Sequence, residues 1–415
     1  MGKTRKGLSA ALMVIALGAA SACGTDSPEA EPEPVIDLAA LDVGSYRAEP
    51  KDFQPKEPLF VGRAFEAERI GSSMPLPSEM DSRLKVNLGH VVHGFLEPGT
   101  THDSPMYTYL QKDGFTEDAK GFVAGFATTG QSEEEEAISF SMSTSALLFE
   151  TEQQATEAAG ALARRGWEIT DFIGSEFVDV TNVPGKVQPT QSAEHPSAIS
   201  SWVPDEQRLA SWFASGKFVI VAVADHTENQ KLGISDQNFL QTLTDAAITA
   251  TAERLKSFQP TPVDKLGSID FDPEGMMRIS LRRLEGDSFM NLPGVYDVPG
   301  YLHLTENPEK VRELFDEHGV DRVSSDAGTL YRTRDSAAAK DFLATESVDK
   351  YMRKVESPPG LPIARCNKYR GPERAVVPYY CYVSYDRYVS MVWGSQLSDA
   401  HQRISAQYAI LARGV

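Results

Sequence analysis

The sequence predicts an α+β protein of two related domains, each an antiparallel sheet with helices packed on one face. Three observations predict it. A strand running into a capped helix, then a hairpin, then a closing helix, occur in the same order twice. A chain of 415 residues suits two or three domains. Hydrophobic residues make up 41% and charged residues 24%, ordinary values for chains that bury a core.

The elements pair as follows. Asp103-Ser104-Pro105 predicts a short helix through Gln111, with a serine cap and proline in the first turn. Asn307-Pro308 does the same before Val311, Leu314, Phe315 and His318, which recur at helical spacing. Ile138–Phe149 alternates as a strand does and runs into Thr151, the expected cap of a helix to Arg165. Its counterpart is Thr329–Tyr331, with Thr333 capping Arg334–Ala344. Leu209–Phe213 and Phe218–Ala224 predict a hairpin, matched by Tyr379–Ser384 and Tyr388–Trp393. Helices over Asp236–Lys256 and His401–Leu411 close the two units. Internal duplication is the economical account. Pro260 and Pro262 interrupt the helical pattern between the units. The expected layout is a leader at 1–22, a stalk at 23–40, a first domain at 41–258, a linker at 259–270 and a second domain at 271–415.

Met1–Cys23 predicts the address. Lys3, Arg5 and Lys6 precede an apolar run from Leu8 to Ala20, and small residues stand before Cys23. That is the pattern of a secretory signal, too short to span a bilayer. Ala20-Ser21-Ala22-Cys23 resembles a bacterial lipobox, departing from it at Ala20, where Leu is usual. The resemblance implies cleavage before Cys23 and a diacylglyceryl thioether on its sulfur, which would hold the chain on the extracytoplasmic face of the cell membrane. Gly24–Pro34 is acidic and proline-rich, with nothing to bury. If Cys23 is acylated, Cys366 and Cys381 remain as an even pair, which an oxidising compartment allows to bridge. Two buried thiols or an incomplete metal pair are the alternatives.

The net charge is −19, and −22 once Lys3, Arg5 and Lys6 leave with the leader. Such a surface repels polyanions, so nucleic acid is excluded as a partner and anionic lipid headgroups are disfavoured. No cofactor fingerprint is present.

Leu41–Pro50, with its Val43-Gly44-Ser45-Tyr46 core, together with Arg69 and Leu76–Asp81, resembles the opening of a family of uncharacterised actinobacterial cell-envelope lipoproteins of mycobacterial and nocardial type. The resemblance implies an envelope location, two successive domains and a cysteine pair in the second. It implies no activity.

Candidate chemistry is sparse. His90 and His93, with His102 and Asp103 beyond, have a spacing that metal ligands use on a helix, but the valine-rich stretch around them predicts a strand, where they point to opposite faces. Ser82…Lys85 and Ser347…Lys350 match the Ser-x-x-Lys of penicillin-binding enzymes without its companion elements. Glu133–Glu136 predicts a solvated loop. Tyr380, Tyr382 and Trp393 form the best candidate binding surface, an aromatic face on the last hairpin. The expected function is ligand or partner binding in the envelope. A cell-wall hydrolase and a purely structural lipoprotein are the alternatives.

Overall fold

The computed structural model describes residues 34–88, 93–97, 114–165, 170–173, 176–179, 187–284, 293–347, 350–371 and 377–415. Met1–Ile36 and Asp37–Val415 are separate units, and the second holds both sheets. The predicted helix at 103–111 and His90, His102 and Asp103 lie outside the described residues, as does the side chain of His93.

The chain enters the first domain through α1 (Pro58–Ser73), opened by proline in its first turn, and the short α2 (Pro77–Met80). Strands β1 (Val86–Asn87) and β2 (His93–Phe95) follow, then α3 (Phe115–Asp118), β3 (Phe122–Gln131) and β4 (Phe140–Phe149). Next come α4 (Glu152–Arg165), a separate ribbon of β5 (Thr170–Ile173) and β6 (Glu176–Asp179), then β7 (Gln188–Thr190) and β8 (Ile199–Val203). The domain ends with β9 (Arg208–Ser215), β10 (Phe218–His226), α5 (Thr227–Leu232) and α6 (Gln237–Leu255). Its antiparallel sheet runs β1-β3-β4-β10-β9-β8-β7, with β2 also on β3.

The second domain comprises β11 (Gly294–Tyr296), α7 (Val298–Leu302), α8 (Pro308–His318), β12 (Arg322–Ser325) and β13 (Thr329–Arg332). Then follow α9 (Ser336–Glu346), β14 (Met352–Val355), β15 (Arg365–Tyr369), β16 (Tyr379–Tyr385), β17 (Tyr388–Gly394) and α10 (Leu397–Gly414). Its sheet runs β11-β12-β13-β17-β16-β15-β14. With the first edge strand counted as one, both sheets read one-two-three-seven-six-five-four, and the register agrees to the residue. Gly216 and Asp386 hold the same left-handed place in the two hairpin turns, at φ +57° and +48°. Five residues before each, Ser211 faces Ser200 and Cys381 faces Cys366. The serines share a 2.8 Å hydrogen bond, and the cysteines form a disulfide.

Three expectations need correction. The helices cover both faces of each sheet. Val219, Val221 and Val223 of β10 pack with Ala155, Ala158 and Leu162 of α4, while Ile220, Ala222 and Ala224 pack with Leu240, Leu243 and Ile248 of α6. Adjacent strand residues point oppositely, so the unbroken apolar run Phe218–Ala224 is the mark of a strand covered twice. The cap of α9 is Asp335, whose carboxylate accepts the Ala338 N–H at 2.8 Å; the Thr333 hydroxyl donates to Asp335 O and Arg387 O instead. Cys366 sits on β15 directly opposite Cys381, so the bridge staples two neighbouring strands.

Leu41–Phe53, expected in the first domain, forms a strap on the second. Tyr46 donates to Asp399 Oδ1 at 2.6 Å, and Arg403 lies over its ring. Gln402 donates to both Asp42 oxygens, and Arg413 to Ala48 O. Gly44 takes φ +55° where it passes Gln402, a conformation and a clearance that suit glycine. The Val-Gly-Ser-Tyr stretch is thus a clasp on α10.

Candidate functional site

Helix α1 is the joint of the molecule. On one side Gly71 lets the Phe126 ring of β3 lie against the helix. On another Gly62 meets the Leu266 carbonyl, where a Cβ would collide. Ala67 and Ile70 complete a buried face of small and apolar residues. The next turn holds the linker. Glu66 is buried and accepts from Thr261 N at 2.8 Å, Thr261 Oγ1 at 2.9 Å and Arg69 Nη1 at 2.6 Å. Arg69 also donates to Gln259 O and stacks over Phe258. A linker written with two prolines is thereby fixed at Gln259 and Thr261.

Beside this clamp lies a cleft of about 390 Å³, lined from α1, the linker, the segment 269–274, β11 and β12. Its apolar wall is Phe65, Ile269, Phe271 and Val295. Phe65, Phe271 and Phe53 of the strap form a ring cluster with centroids 5.8–6.5 Å apart. Its polar rim is Arg69, Asp270, Asp272, Glu274 and Arg322. Burial raises the Asp272 carboxyl, against the pull of backbone N–H donors, and its two oxygens accept Met277 N at 2.9 Å and Arg278 N at 2.7 Å. Asp270 Oδ1 accepts Asp272 N. Glu274 is opposed by burial but held below the usual carboxylate range by Arg322 on Oε1 at 2.7 Å and Arg332 on Oε2 at 2.5 Å. Each rim carboxylate thus holds a turn or an arginine. A second hollow of about 330 Å³ opens among Met74, Leu76, Val298 and Leu302, where Glu79 sits between Arg254 at 3.1 Å and Arg312 at 3.8 Å.

Two buried groups lock the domains together. Glu68 of α1 lies against Gly94 and the Tyr296 hydroxyl of the second domain, and burial pushes its carboxyl up to about 8. His303, fully buried, reaches from the end of α7 into the first domain. Its Nδ1 is 2.9 Å from Thr128 Oγ1, its Nε2 is 3.4 Å from Met74 O, and its ring meets Phe126.

The sequence-predicted sites fall elsewhere. Tyr382 is buried in the core with Tyr331, Phe342 and Val389. Tyr380 and Trp393 face one another across β16 and β17, both half-buried, and burial raises the Tyr380 hydroxyl. The aromatic face is therefore mainly the packing face for α8 and α9. Ser82 and Lys85 are exposed on a turn, and the Ser347 hydroxyl accepts from Arg365. Glu133–Glu136 are exposed. Cys366, Cys381 and His401 lie close together, but the sulfurs are bonded to each other and His401 Nε2 is 2.9 Å from Glu356 O. Cys23 lies outside the described residues. The cleft was missed, although a proline-marked junction between two cores is where ligand sites concentrate.

Fold and joint together define a tandem α+β protein in which one topology is used twice and a helix outside the repeat unites the copies. The chain belongs to the family described as domain of unknown function DUF7373, matching its N-terminal profile over residues 54–271 and its C-terminal profile over 277–414. No curated protein and no solved structure matches the chain.

Proposed function

We propose that this chain is an exported cell-envelope lipoprotein, acylated at Cys23, that binds a small amphiphilic ligand in the cleft between α1 and the second sheet. The observation that carries the binding reading is the state of the rim. A cleft of about 390 Å³ with a phenylalanine wall is within the size range of ligand sites. Its three carboxylates are committed to turns or arginines, so they orient a ligand and do not offer the acid–base pair that glycan hydrolysis requires. The leader, the lipobox-like run before Cys23 and the disulfide support the address. No helix among the described residues is long and apolar enough to cross a membrane, so any attachment rests on the N-terminus or the surface.

The test is native mass spectrometry of the full chain purified from its own membranes, beside Val295→Trp, which fills the cleft. A bound small molecule in the parent and its loss in the variant are expected. A parent that carries no ligand but turns over cell-wall fragments would overturn the reading in favour of a hydrolase. For the anchor, Cys23→Ser should lose the acyl mass and leave the membrane fraction; an unacylated parent defeats it.

A further inference from the structure

We propose that the outer edge of the C-terminal sheet docks on the anionic headgroups of the lipid bilayer to which the chain is tethered. This goes beyond the cleft, and uses the Cys23 anchor only to say which membrane is met.

The charge at this edge runs against the rest of the molecule. Within residues 350–371, around β14 and β15, stand Lys350, Arg353, Lys354, Arg365, Lys368 and Arg370, against one acidic residue, Glu356, in a chain of net charge −19. None of the six forms an ion pair with a described residue, whereas Arg69, Arg83, Arg254, Arg322, Arg332 and Arg403 all do. Lys350, Arg353, Lys354, Arg365 and Arg370 are exposed. Tyrosines stand among them. Lys350 lies over Tyr351, Lys368 over Tyr379, and Tyr351 meets Tyr369 edge-on. Unpaired cations interleaved with amphipathic rings suit a headgroup layer.

Two comparisons sharpen the assignment. Edge strands carry lysine to discourage sheet extension, which would account for Lys354 on β14. It does not account for Arg365 and Lys368, one strand further in. The first domain supplies an internal control: the matching edge, residues 187–203 through β7 and β8, has no lysine or arginine, and Pro189 blunts it. Within the two strands and the loop between them, the cations belong to the second copy alone.

The path of the chain gives the occupant. Leu41 packs beside Gly360, in the loop joining β14 to β15, and Asp42 is held by Gln402. Cys23 lies 18 residues before Leu41, so a fully extended connection spans at most about 60 Å. The chain thus leaves the folded unit at the basic edge, on a short leash.

The test uses the full chain carrying Cys23→Ser, which cannot be acylated, with vesicles of phosphatidylcholine alone or containing about one-third phosphatidylglycerol. At low salt the anionic vesicles should bind at least several hundred-fold more tightly, and high salt should abolish the preference. Replacing Lys350, Arg353, Lys354 and Arg370 with Gln should cost at least a hundred-fold, since each cation contributes about five-fold. The leader's own cations are present in both chains and cancel. A parent with no anionic preference overturns the proposal, as does a four-site variant that melts like the parent and keeps the preference. If the four-site variant does not fold, Arg365→Gln and Lys368→Gln decide, each expected to cost about five-fold; unchanged binding in both overturns the proposal. Equal binding to free polyphosphate without binding to vesicles also overturns it. The acyl mass at Cys23 is read separately, so failure of the anchor and failure of the edge are distinguishable.

Discussion

His303 makes the junction between the domains sensitive to acid, and the size of the effect follows from its surroundings. The ring is fully buried, placed between Thr128 and Met74 and packed on Phe126. Burial drives its pKa down to about 4, against the Met74 carbonyl and the nearby Glu79 carboxylate, which raise it, while Arg254 lowers it further. In the unfolded chain the same imidazole titrates near 6.5. Between those values the unfolded state holds more protons, so stability falls as pH falls. The loss is absent above about pH 7.5. It reaches about 2 kcal/mol by pH 5 and about 3 kcal/mol by pH 4, where the native ring begins to protonate. The assay is urea unfolding from pH 7.5 to 4 of the parent and of His303→Gln. Glutamine keeps a hydrogen-bonding group but does not titrate. The variant should be the less stable chain at pH 7.5, through poorer packing on Phe126, and the gap should close by about 3 kcal/mol at pH 4. Carboxylates elsewhere titrate in both chains and cancel in the difference. A gap that stays constant across the range would refute the assignment of a neutral, buried His303.

Two further outcomes are expected. Replacing Cys366 and Cys381 with serine copies the Ser200–Ser211 pair of the first domain, so the fold should survive at a cost of about 3 kcal/mol from the lost 15-residue closure, read as a lower urea midpoint. Glu68, with its carboxyl raised to about 8, contributes stability that is complete below its unfolded value near 4.5 and is lost as pH rises through 8. Glu68→Gln should therefore gain on the parent by up to ~1.4 kcal/mol per pH unit between pH 5 and 8, measured by the same unfolding series.

How much was legible depended on which residues carried the pattern. The hairpins and closing helices were readable because their apolar runs are long and their ends are marked: Asp236 caps the Phe239 N–H, Asn307 caps Lys310, and Gly216 turns β9 into β10. Helix α1 was not readable, because Gly62, Ala64, Ala67 and Gly71 make much of its buried face and small residues leave little hydrophobic period. The short strands β7, β8, β14 and β15, the two outermost on one side of each sheet, were missed for a related reason: they carry no long apolar run, and pairing to a neighbour makes them strands. The aromatic face on β16 and β17 was legible as a face but not as to its use. Alternation divides a strand into two sides, and it does not say that helices will cover both. A sum of charge over 415 residues likewise hides the six cations of residues 350–371.

The repeat also explains where function resides. Elements of like topology obey the same packing constraints, and here they do: the sheets share an order, the hairpins share a left-handed turn, and the Cys366–Cys381 staple stands where the Ser200–Ser211 pair stands in the first sheet. The cleft is built mostly from what is not repeated. Phe65 and Arg69 come from a helix that precedes the first sheet, and Thr261 and Ile269–Glu274 come from the connection between the copies. Only Val295 and Arg322 come from repeated strands. A helix that must fit two domains at once is constrained on several sides, which accounts for its glycines and its buried Glu66 and Glu68. The same position makes it the element through which a ligand in the cleft would bear on both sheets, because Phe65 and Arg69 touch the cleft while Gly71 and Glu68, within one turn or two, touch Phe126 and Tyr296.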